Sequence, residues 1–155
     1  MDRAVTGGAA LAPVSRRSYR HFLAIPTRWM DNDSYGHVNN VTYYSYFDTA
    51  VNAHLIAAEV LDVRAGREVG VVVETMCRFH QSLSFPEVVD AGLRVTRIGH
   101  SSVRYEIGLF RAGEDAPAAT GYFVHVWVDR ETQHPVRVPA TVRDALVPLL
   151  TGDAQ

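Results

Sequence analysis

One long helix among strand-like segments is the feature that most restricts the fold of this chain. Apolar residues recur at steps of three or four between residue 41 and about residue 60, at Val41, Tyr44, Phe47, Val51, Leu55 and Ala58. That spacing is the period of an amphipathic helix. The chain therefore has one long helix with which to cover the apolar face of a sheet.

The segments on either side of this helix have the composition of β-strands. RHFLAIPTRW precedes it, and its Pro26 favours a sheet edge or a bulge. Three further segments follow: VGVVVETMCRFH, EVVDAGLRVTRIGHSSVRYEIGLFR with two strands joined around Gly99, and ATGYFVHVWVD. ATVRDALVPLL predicts a short terminal helix. The order predicts an α+β domain in which a mostly antiparallel sheet buries one face against the helix.

Length and charge narrow the classes of function. The chain has 155 residues, of which 47% are hydrophobic, enough for one domain with a substantial core. Residues 1–17 lack an apolar period, so we expect a flexible N-terminal segment there and one folded domain over residues 18–150. A formal net charge of -2 argues against a nucleic-acid partner and favours a small molecule.

The sequence also bears on location and cofactors. No apolar run approaches the roughly 18 residues of a membrane span, and the N-terminus lacks the apolar region of a signal peptide. We therefore expect a cytoplasmic protein with no membrane partner. Neither an HxH nor an HExxH spacing occurs, so we expect no metal site.

A cluster of mostly polar residues, DNDSYGHVNN, lies directly before the long helix. A helix N-terminus has unpaired backbone N–H groups and a partial positive charge, which attract an oxyanion or a carboxylate. Such a site could polarise a carbonyl group. The same residue types also cap helices and form Asx turns routinely, so the residues alone leave both interpretations open.

Order and motif together strongly resemble the 4-hydroxybenzoyl-CoA thioesterase family of hot-dog folds. The resemblance lies in DNDSYGHVNNVTYYSYFDTA, RFHQSLSFPEVVDAGLRVTRIGHSSVRYEI and VHVWVDRETQHPVRVP, and covers roughly residues 20 to 145. It implies a single hot-dog domain, with an antiparallel sheet wrapped around one long central helix. The activity it implies is hydrolysis of an acyl-CoA thioester, in which coenzyme A is part of the substrate and no cofactor is needed.

The resemblance also implies a catalytic pair. Asp33 is the second acid of the acid-x-acid motif, which is the catalytic carboxylate in the family, and Asn40 follows at the helix start as the backbone N–H donor to the carbonyl oxygen. Asp33 would either attack the thioester carbon or activate a water. A thiol leaves readily as thiolate, so no strong general acid is required. Asp31 is interpreted as a turn residue or a partner for Arg28.

The predicted substrate-binding residues fall into two groups. The first group surrounds the motif or follows from the resemblance, and consists of Gly36, His37, Asn39, Tyr43 and Phe79. The second group lies in the turn IGHSS, which the resemblance places near the nucleotide end of coenzyme A, and consists of His100, Ser101 and Ser102. His100 departs from the basic residue that the family usually has there. His37 is interpreted chiefly as a loop-shaping residue, with general-base work as the alternative.

The resemblance implies a homodimer or a homotetramer made from dimers, because family sites of this kind lie between subunits. Two other functions stay open. Hot-dog hydratases and dehydratases pair an aspartate with a histidine five residues on, a spacing that neither Asp31 nor Asp33 has. A non-catalytic acyl-thioester binding protein is the other, because fold does not fix function.

Overall fold

The structure, a computed structural model, describes residues 14–152 of the chain. Its main elements are β1 (His21–Pro26), α1 (Asn40–Ala57), β2 (Glu68–Phe79), β3 (Val88–Ile98), β4 (Ser102–Arg111), β5 (Ala119–Asp129) and α2 (Ala140–Leu146). No helix within the described range is both long and apolar enough to cross a membrane.

The five strands form one sheet in the order β1-β3-β4-β5-β2, and every neighbouring pair is antiparallel. The α+β hot-dog fold predicted from the sequence is confirmed. β1 and β2 are the two edges, and Pro26 lies at the end of β1 opposite Val88. The prediction that this proline sits at an edge is therefore also confirmed, since an edge strand tolerates the missing N–H.

α1 packs its apolar face onto one face of the sheet, and the buried face of the helix differs in part from the predicted one. The buried residues are Tyr43, Tyr46, Phe47, Ala50, Val51 and Leu55. The prediction was right for Phe47, Val51 and Leu55 and wrong for the ends: Val41 is 68% exposed and Ala58 is also exposed. In the first two turns the buried side chains are instead Tyr43 and Tyr46, because the Tyr43 ring meets Phe79 at the end of β2 and the Tyr46 hydroxyl donates to Asp31 in the preceding loop.

The helix lies close to the sheet at Gly121 of β5. A Cβ atom there would lie 2.1 Å from the backbone oxygen of Met76 and 2.6 Å from the ring of Phe47. Glycine is therefore what lets the helix approach β5 this closely. The inner face of the sheet then supplies alternate residues to the core, namely Val89, Ala91, Leu93, Val95, Val103, Tyr105, Ile107, Leu109, Ala119, Phe123 and Trp127.

The segment before β1 covers part of the outer face. A Cβ atom at Gly92 or Gly108, which face each other across β3 and β4, would lie less than 3 Å from the ring of Tyr19. Arg16 donates to the carbonyl of Arg111 and pairs with Asp90. Residues 1–13 of the predicted flexible segment, and residues 153–155, lie outside the described residues. The domain boundary stays a prediction.

We expect Gly121→Ala to destabilise the protein by about 1 to 3 kcal/mol, because the added methyl group meets backbone and cannot be accommodated by a rotamer change. Urea unfolding measures the difference. Gly152→Ala is the matched control, since nothing lies within 4 Å of the Cβ position there. Equal unfolding midpoints for the two variants would contradict this account of the helix contact.

Candidate functional site

The loop between β1 and α1, residues 27–39, is anchored by the carboxylate of Asp31, whose side chain is only 1% exposed. One oxygen accepts hydrogen bonds from the backbone N–H of Arg28 and the hydroxyl of Tyr46, both at 2.8 Å. The other accepts from the Arg28 guanidinium at 3.0 and 2.9 Å. The backbone of Asp31 accepts from the N–H of Asn39 at 2.8 Å. The interpretation of Asp31 as a partner for Arg28 is confirmed.

These contacts determine the charge state of Asp31. Burial raises the pKa of its carboxyl, but the hydrogen bonds from the Arg28 N–H, the Tyr46 hydroxyl and the Arg28 guanidinium outweigh burial, so the net pKa lies below its ordinary value. The carboxylate is therefore ionised at neutral pH and fully engaged. An acid in this state stabilises the loop and has no free oxygen with which to attack a substrate.

The loop is also tied to the segment that follows β2, residues 80–87. The side-chain oxygen of Asn32 accepts from the N–H of Phe85 at 3.0 Å, and the N–H of Val38 donates to the carbonyl of Leu83 at 2.7 Å. The hydroxyl of Ser84 donates to the carbonyl of Gly36 at 3.0 Å. Three bonds from one segment therefore hold the second half of the loop at Asn32, Gly36 and Val38.

Between these ties the chain makes a tight turn that presents Asp33. The N–H of Asp33 donates to the carbonyl of His37 at 2.8 Å, and the N–H of Gly36 donates to the carbonyl of Asp33 at 3.1 Å. Gly36 has a φ of +81°, which L residues rarely adopt. The Asp33 carboxylate accepts from the N–H of Tyr35 at 2.9 Å and is only partly buried. Unlike Asp31, it is open to a ligand.

The start of α1 leaves one donor free. The side-chain oxygen of Asn39 caps the helix by accepting from the N–H of Val41 at 2.9 Å, and its carbonyl accepts from Thr42 at 2.9 Å. Asn40 is the first helical residue, and its N–H has no acceptor within residues 14–152. This is the position at which a helix offers an unpaired N–H to a ligand.

A cavity of about 330 Å³ opens beside this free donor. It is lined by His37, Val38, Asn40, Tyr43, Phe79, His80, Gln81 and Ser82. Tyr43, which is 3% exposed, forms the apolar wall with Phe79, and their rings meet edge to face at 4.9 Å. We call it the loop cavity. Its volume is in the range of small-molecule binding pockets.

The structure brings some of the predicted site residues together and separates others. His37, Asn40, Tyr43 and Phe79 line the loop cavity, whereas Asn39 caps the helix and Gly36 shapes the turn. Asp33 does not line the cavity itself and is joined to it through the bond to His37. Sequence reasoning missed Val38, His80 and Gln81 as lining residues, although their positions directly after His37 and Phe79 could have indicated them.

His100, Ser101 and Ser102 lie at the opposite end of the sheet from Asp33 in the same chain. They form the β3–β4 turn, where the carbonyl of Ser101 accepts from Trp127 at 2.8 Å. The loop of Asp33 lies instead beside the start of β3, because Thr27 donates to Glu87 there. β3 has 11 residues, so the two ends are about 30 Å apart. One chain alone cannot place this turn beside Asp33.

The chain is similar to known proteins over most of its length. Residues 27–146 match the family model described as the thioesterase-like superfamily. No curated protein was found to match the chain. Among solved structures, the PA5185 protein from Pseudomonas aeruginosa is 48% identical with a TM-score of 0.88, covering 92% of this chain and 99% of that one.

Two further structures support the fold. The PA2801 protein from Pseudomonas aeruginosa is 31% identical with a TM-score of 0.76, covering 83% of this chain and 99% of that one. The dynemicin thioesterase is 17% identical with a TM-score of 0.78, covering 85% of this chain and 98% of that one. At that identity the second match shows the fold alone.

We expect Tyr46→Phe to destabilise the protein by about 1.5 to 3 kcal/mol at pH 7, because it removes a hydrogen bond to a buried charge. The folded-state pKa of Asp31 is lower than the unfolded value, so the stability that Asp31 contributes is present above about pH 4 and is lost as the pH falls through the folded value. The loss of stability caused by Tyr46→Phe should therefore be smaller at acidic pH.

Urea unfolding of the wild type and the variant at pH 7 and pH 3 measures both effects. Tyr44→Phe, on the same helix, is the control. A cost for Tyr46→Phe that is no larger than that of Tyr44→Phe, or that does not change with pH, would contradict the proposed role of the Asp31 contact.

Proposed function

Since the chain belongs to the thioesterase-like superfamily, we propose that it hydrolyses an acyl-CoA thioester to the free acid and CoA. The observation that carries this proposal is the position of the partly exposed Asp33, which lies on the turn that is joined to the loop cavity through His37. Asn40, whose N–H has no intrahelical acceptor, lines the same cavity.

The chemistry needs few groups. In this proposal the thioester carbonyl lies at the mouth of the loop cavity, with its oxygen accepting from the N–H of Asn40, which stabilises the negative charge that develops on that oxygen. Asp33 either attacks the carbonyl carbon, giving an anhydride that water then hydrolyses, or takes a proton from the attacking water. The CoA sulfur leaves as thiolate, so no second acid is required.

The different environments of the two acids support the assignment of roles. Asp31 has both oxygens occupied by Arg28 and Tyr46. Asp33 accepts a single bond from its own turn, at Oδ1, and keeps Oδ2 for the substrate or for water. A reacting carboxylate needs such a free oxygen, whereas a structural one needs its oxygens satisfied.

The proposal includes a homodimer formed through β2. This edge strand has twelve residues, and the middle of it carries Val72 and Val73, of which Val73 is 60% exposed. An edge of this length with exposed valines is a template for pairing with a second copy. Pairing along the whole strand about a two-fold axis is antiparallel and sets the Phe79 end of one subunit against the Glu68 end of the other.

Such a dimer would also resolve the separation of the predicted binding residues. The β3–β4 turn lies level with Gly70, because Trp127 pairs with Gly70 and donates to Ser101. It is therefore at the Glu68 end of β2. In the proposed dimer the partner's turn, with its copies of His100, Ser101 and Ser102, approaches the loop cavity and could receive the nucleotide end of CoA.

We expect Asp33→Asn to remove most hydrolysis and leave the fold intact. The amide oxygen can still accept from the N–H of Tyr35, but it is neither a nucleophile nor a base. CoA release from an acyl-CoA panel, followed with a thiol reagent, measures the effect after circular dichroism confirms folding. Equal activity in wild type and variant would contradict the role of Asp33.

Analysis of the products of the wild-type protein separates the alternative functions. Hydrated product without free thiol would indicate a hydratase, and binding alone would indicate a non-catalytic protein.

We expect Asn40→Pro to reduce turnover by about a hundredfold to a thousandfold, because it deletes an oxyanion donor. The structure favours folding of this variant: Asn40 is the first helical residue, where proline is tolerated, and Asn39 before it is extended. Asn40→Ala keeps the N–H and is the control. Similar kcat values for the two variants would show that this N–H is not the donor.

We expect the protein to have the mass of a dimer or of a tetramer at micromolar concentration, and Val73→Asp to shift it to monomer by placing charges in the β2 edge. Light scattering after size exclusion measures the mass. Val147→Asp, which changes a valine that is 54% exposed beyond α2, is the control. A fully active monomer of the wild type would contradict the proposed assembly.

A further inference from the structure

An ion pair joins the start of β3 to the end of β4, on the side of the sheet where the loop of Asp33 lies. Arg111 is the last residue of β4, and Glu87 directly precedes β3. The Nε atom of Arg111 donates to Oε2 of Glu87, and the two side chains are 34% and 27% exposed. We call this contact the strand-end pair. An ion pair open to solvent adds little stability by itself, so the groups that it holds in place matter more than its own strength.

The second oxygen of the Glu87 carboxylate shapes a turn. Oε1 accepts from the N–H of Ser84 at 2.9 Å, and the N–H of Glu87 donates to the carbonyl of Ser84 at 2.9 Å. The carbonyl of Glu87 also accepts from the N–H of Thr27 at 3.1 Å, where the loop before α1 begins. Because Arg111 holds the carboxylate, the position of Ser84 depends on the strand-end pair.

Ser84 is the residue at which this turn meets the turn of Asp33. Its hydroxyl donates to the carbonyl of Gly36 at 3.0 Å. The N–H of Gly36 in turn donates to the carbonyl of Asp33 at 3.1 Å. Nothing lies within 4 Å of the position that a Cβ atom of Gly36 would take, so side-chain packing does not hold the tip of this turn. The Ser84 hydroxyl supplies the restraint instead.

Arg111 also holds the wall of the loop cavity. Its Nη2 atom donates to the carbonyl of Ser82 at 2.7 Å, and Ser82 lines the cavity. Tyr43 lines the same cavity: burial raises the pKa of its hydroxyl, and the nearby charges of Glu87 and Arg111 act on it with opposite signs. The strand-end pair therefore lies close behind the cavity wall and does not line the cavity itself.

We propose that Glu87 and Arg111 are positioning residues for hydrolysis: the strand-end pair holds Ser84, and Ser84 holds the turn that presents Asp33. This inference rests on the proposed function of Asp33. Neither member of the pair touches the reacting atoms. A displacement of about 1 Å can reduce turnover by about a hundredfold, so loss of the pair should lower kcat much more than it changes KM.

Arg111 provides a matched control, because its guanidinium has a second acidic partner. Its Nη1 atom donates to Oε1 of Glu114 at 3.2 Å, and the backbone carbonyl of Glu114 accepts from Arg16. These contacts lead to the segment before β1 and not to the turn of Asp33. Glu87→Ala and Glu114→Ala therefore each remove one acidic partner of the same arginine, but only the first removes the contact to Ser84.

We expect Glu87→Ala to lower kcat by about tenfold to a hundredfold and to change KM by less than about threefold. Glu114→Ala should keep kcat within about twofold of the wild type. CoA release at 25 °C from the best substrate of an acyl-CoA panel measures both constants, after circular dichroism confirms that the variants are folded. Equal kcat values for the two variants would overturn the proposal.

Substitutions of Ser84 test the path from the strand-end pair to the turn of Asp33. Ser84→Ala removes the hydroxyl and should lower kcat by about tenfold, whereas Ser84→Thr keeps a hydroxyl and should restore most of the activity. The double variant Glu87→Ala/Ser84→Ala should be no slower than Glu87→Ala alone, because both substitutions act through the bond to Gly36. Losses that multiply in the double variant would overturn this path.

Hydrogen exchange tests the same path without catalysis. The N–H groups of Asp33 and Gly36 donate within the turn, and they should exchange at least about tenfold faster in Glu87→Ala and Ser84→Ala than in the wild type. The N–H of Val51, at the buried centre of α1, measures any loss of global stability. Its exchange should increase much less than that of the two turn amides.

The two kinds of measurement separate this inference from the proposed function. If the wild type hydrolyses no acyl-CoA while the turn amides exchange faster as expected, the proposed function is wrong and the contact path stands. Unchanged exchange at Asp33 and Gly36 in folded Glu87→Ala would overturn the inference, whether or not the protein is a hydrolase. An equal increase in Glu114→Ala would overturn it as well.

Discussion

The buried carboxylate of Asp31 connects the two parts of the candidate site, the loop and the helix. It accepts from the backbone and guanidinium of Arg28 at the start of the loop and from Tyr46 in the second turn of α1. An ionised group at this depth must have its oxygens satisfied, and removing one partner would leave an expensive buried charge. The loop therefore has one favourable position relative to the helix, and the orientation of Asp33 and Asn40 depends on it.

Two aspartates two residues apart consequently have different environments. Asp31 is held by three kinds of donor and has a lowered pKa, whereas Asp33 sits on a turn that requires the positive φ of Gly36 and exposes its carboxylate. The helix contributes the remaining group, because Asn39 caps Val41 and Thr42 and leaves the N–H of Asn40 without an intrahelical acceptor. The cap therefore leaves this donor available for the proposed catalysis.

Most of the fold could be predicted from the sequence, because alternation and apolar period reflect burial directly. The strands around Gly99, the edge position of Pro26 and the single long helix follow from local pattern. The buried face of α1 was only partly predictable. Val41 fits the apolar period but lies at the exposed helix start, while Tyr46 is buried because its hydroxyl reaches Asp31, fifteen residues away. Such a contact leaves no periodic signal.

The candidate site could also be predicted only in part. The pair of Asp31 and Arg28 and the helix start at Asn40 lie close in sequence and could be predicted, whereas the loop cavity depends on residues 80–82 from a different strand end. The β3–β4 turn was grouped with the site on resemblance alone, and in one chain it lies at the far end of the sheet. In the proposed dimer a second subunit brings them together, and a single sequence carries no pattern for that.

The proposed mechanism requires the free N–H of Asn40 to donate to the carbonyl oxygen of the thioester. The amide proton chemical shift of Asn40 tests this contact on titration with an acyl-CoA analogue in which a methylene group replaces the thioester sulfur, leaving a ketone that cannot be hydrolysed. We expect a saturable downfield shift of the Asn40 amide that is larger than those of Val41 and Thr42, whose N–H groups already donate to Asn39. Binding of the analogue with the Asn40 amide unmoved would contradict it.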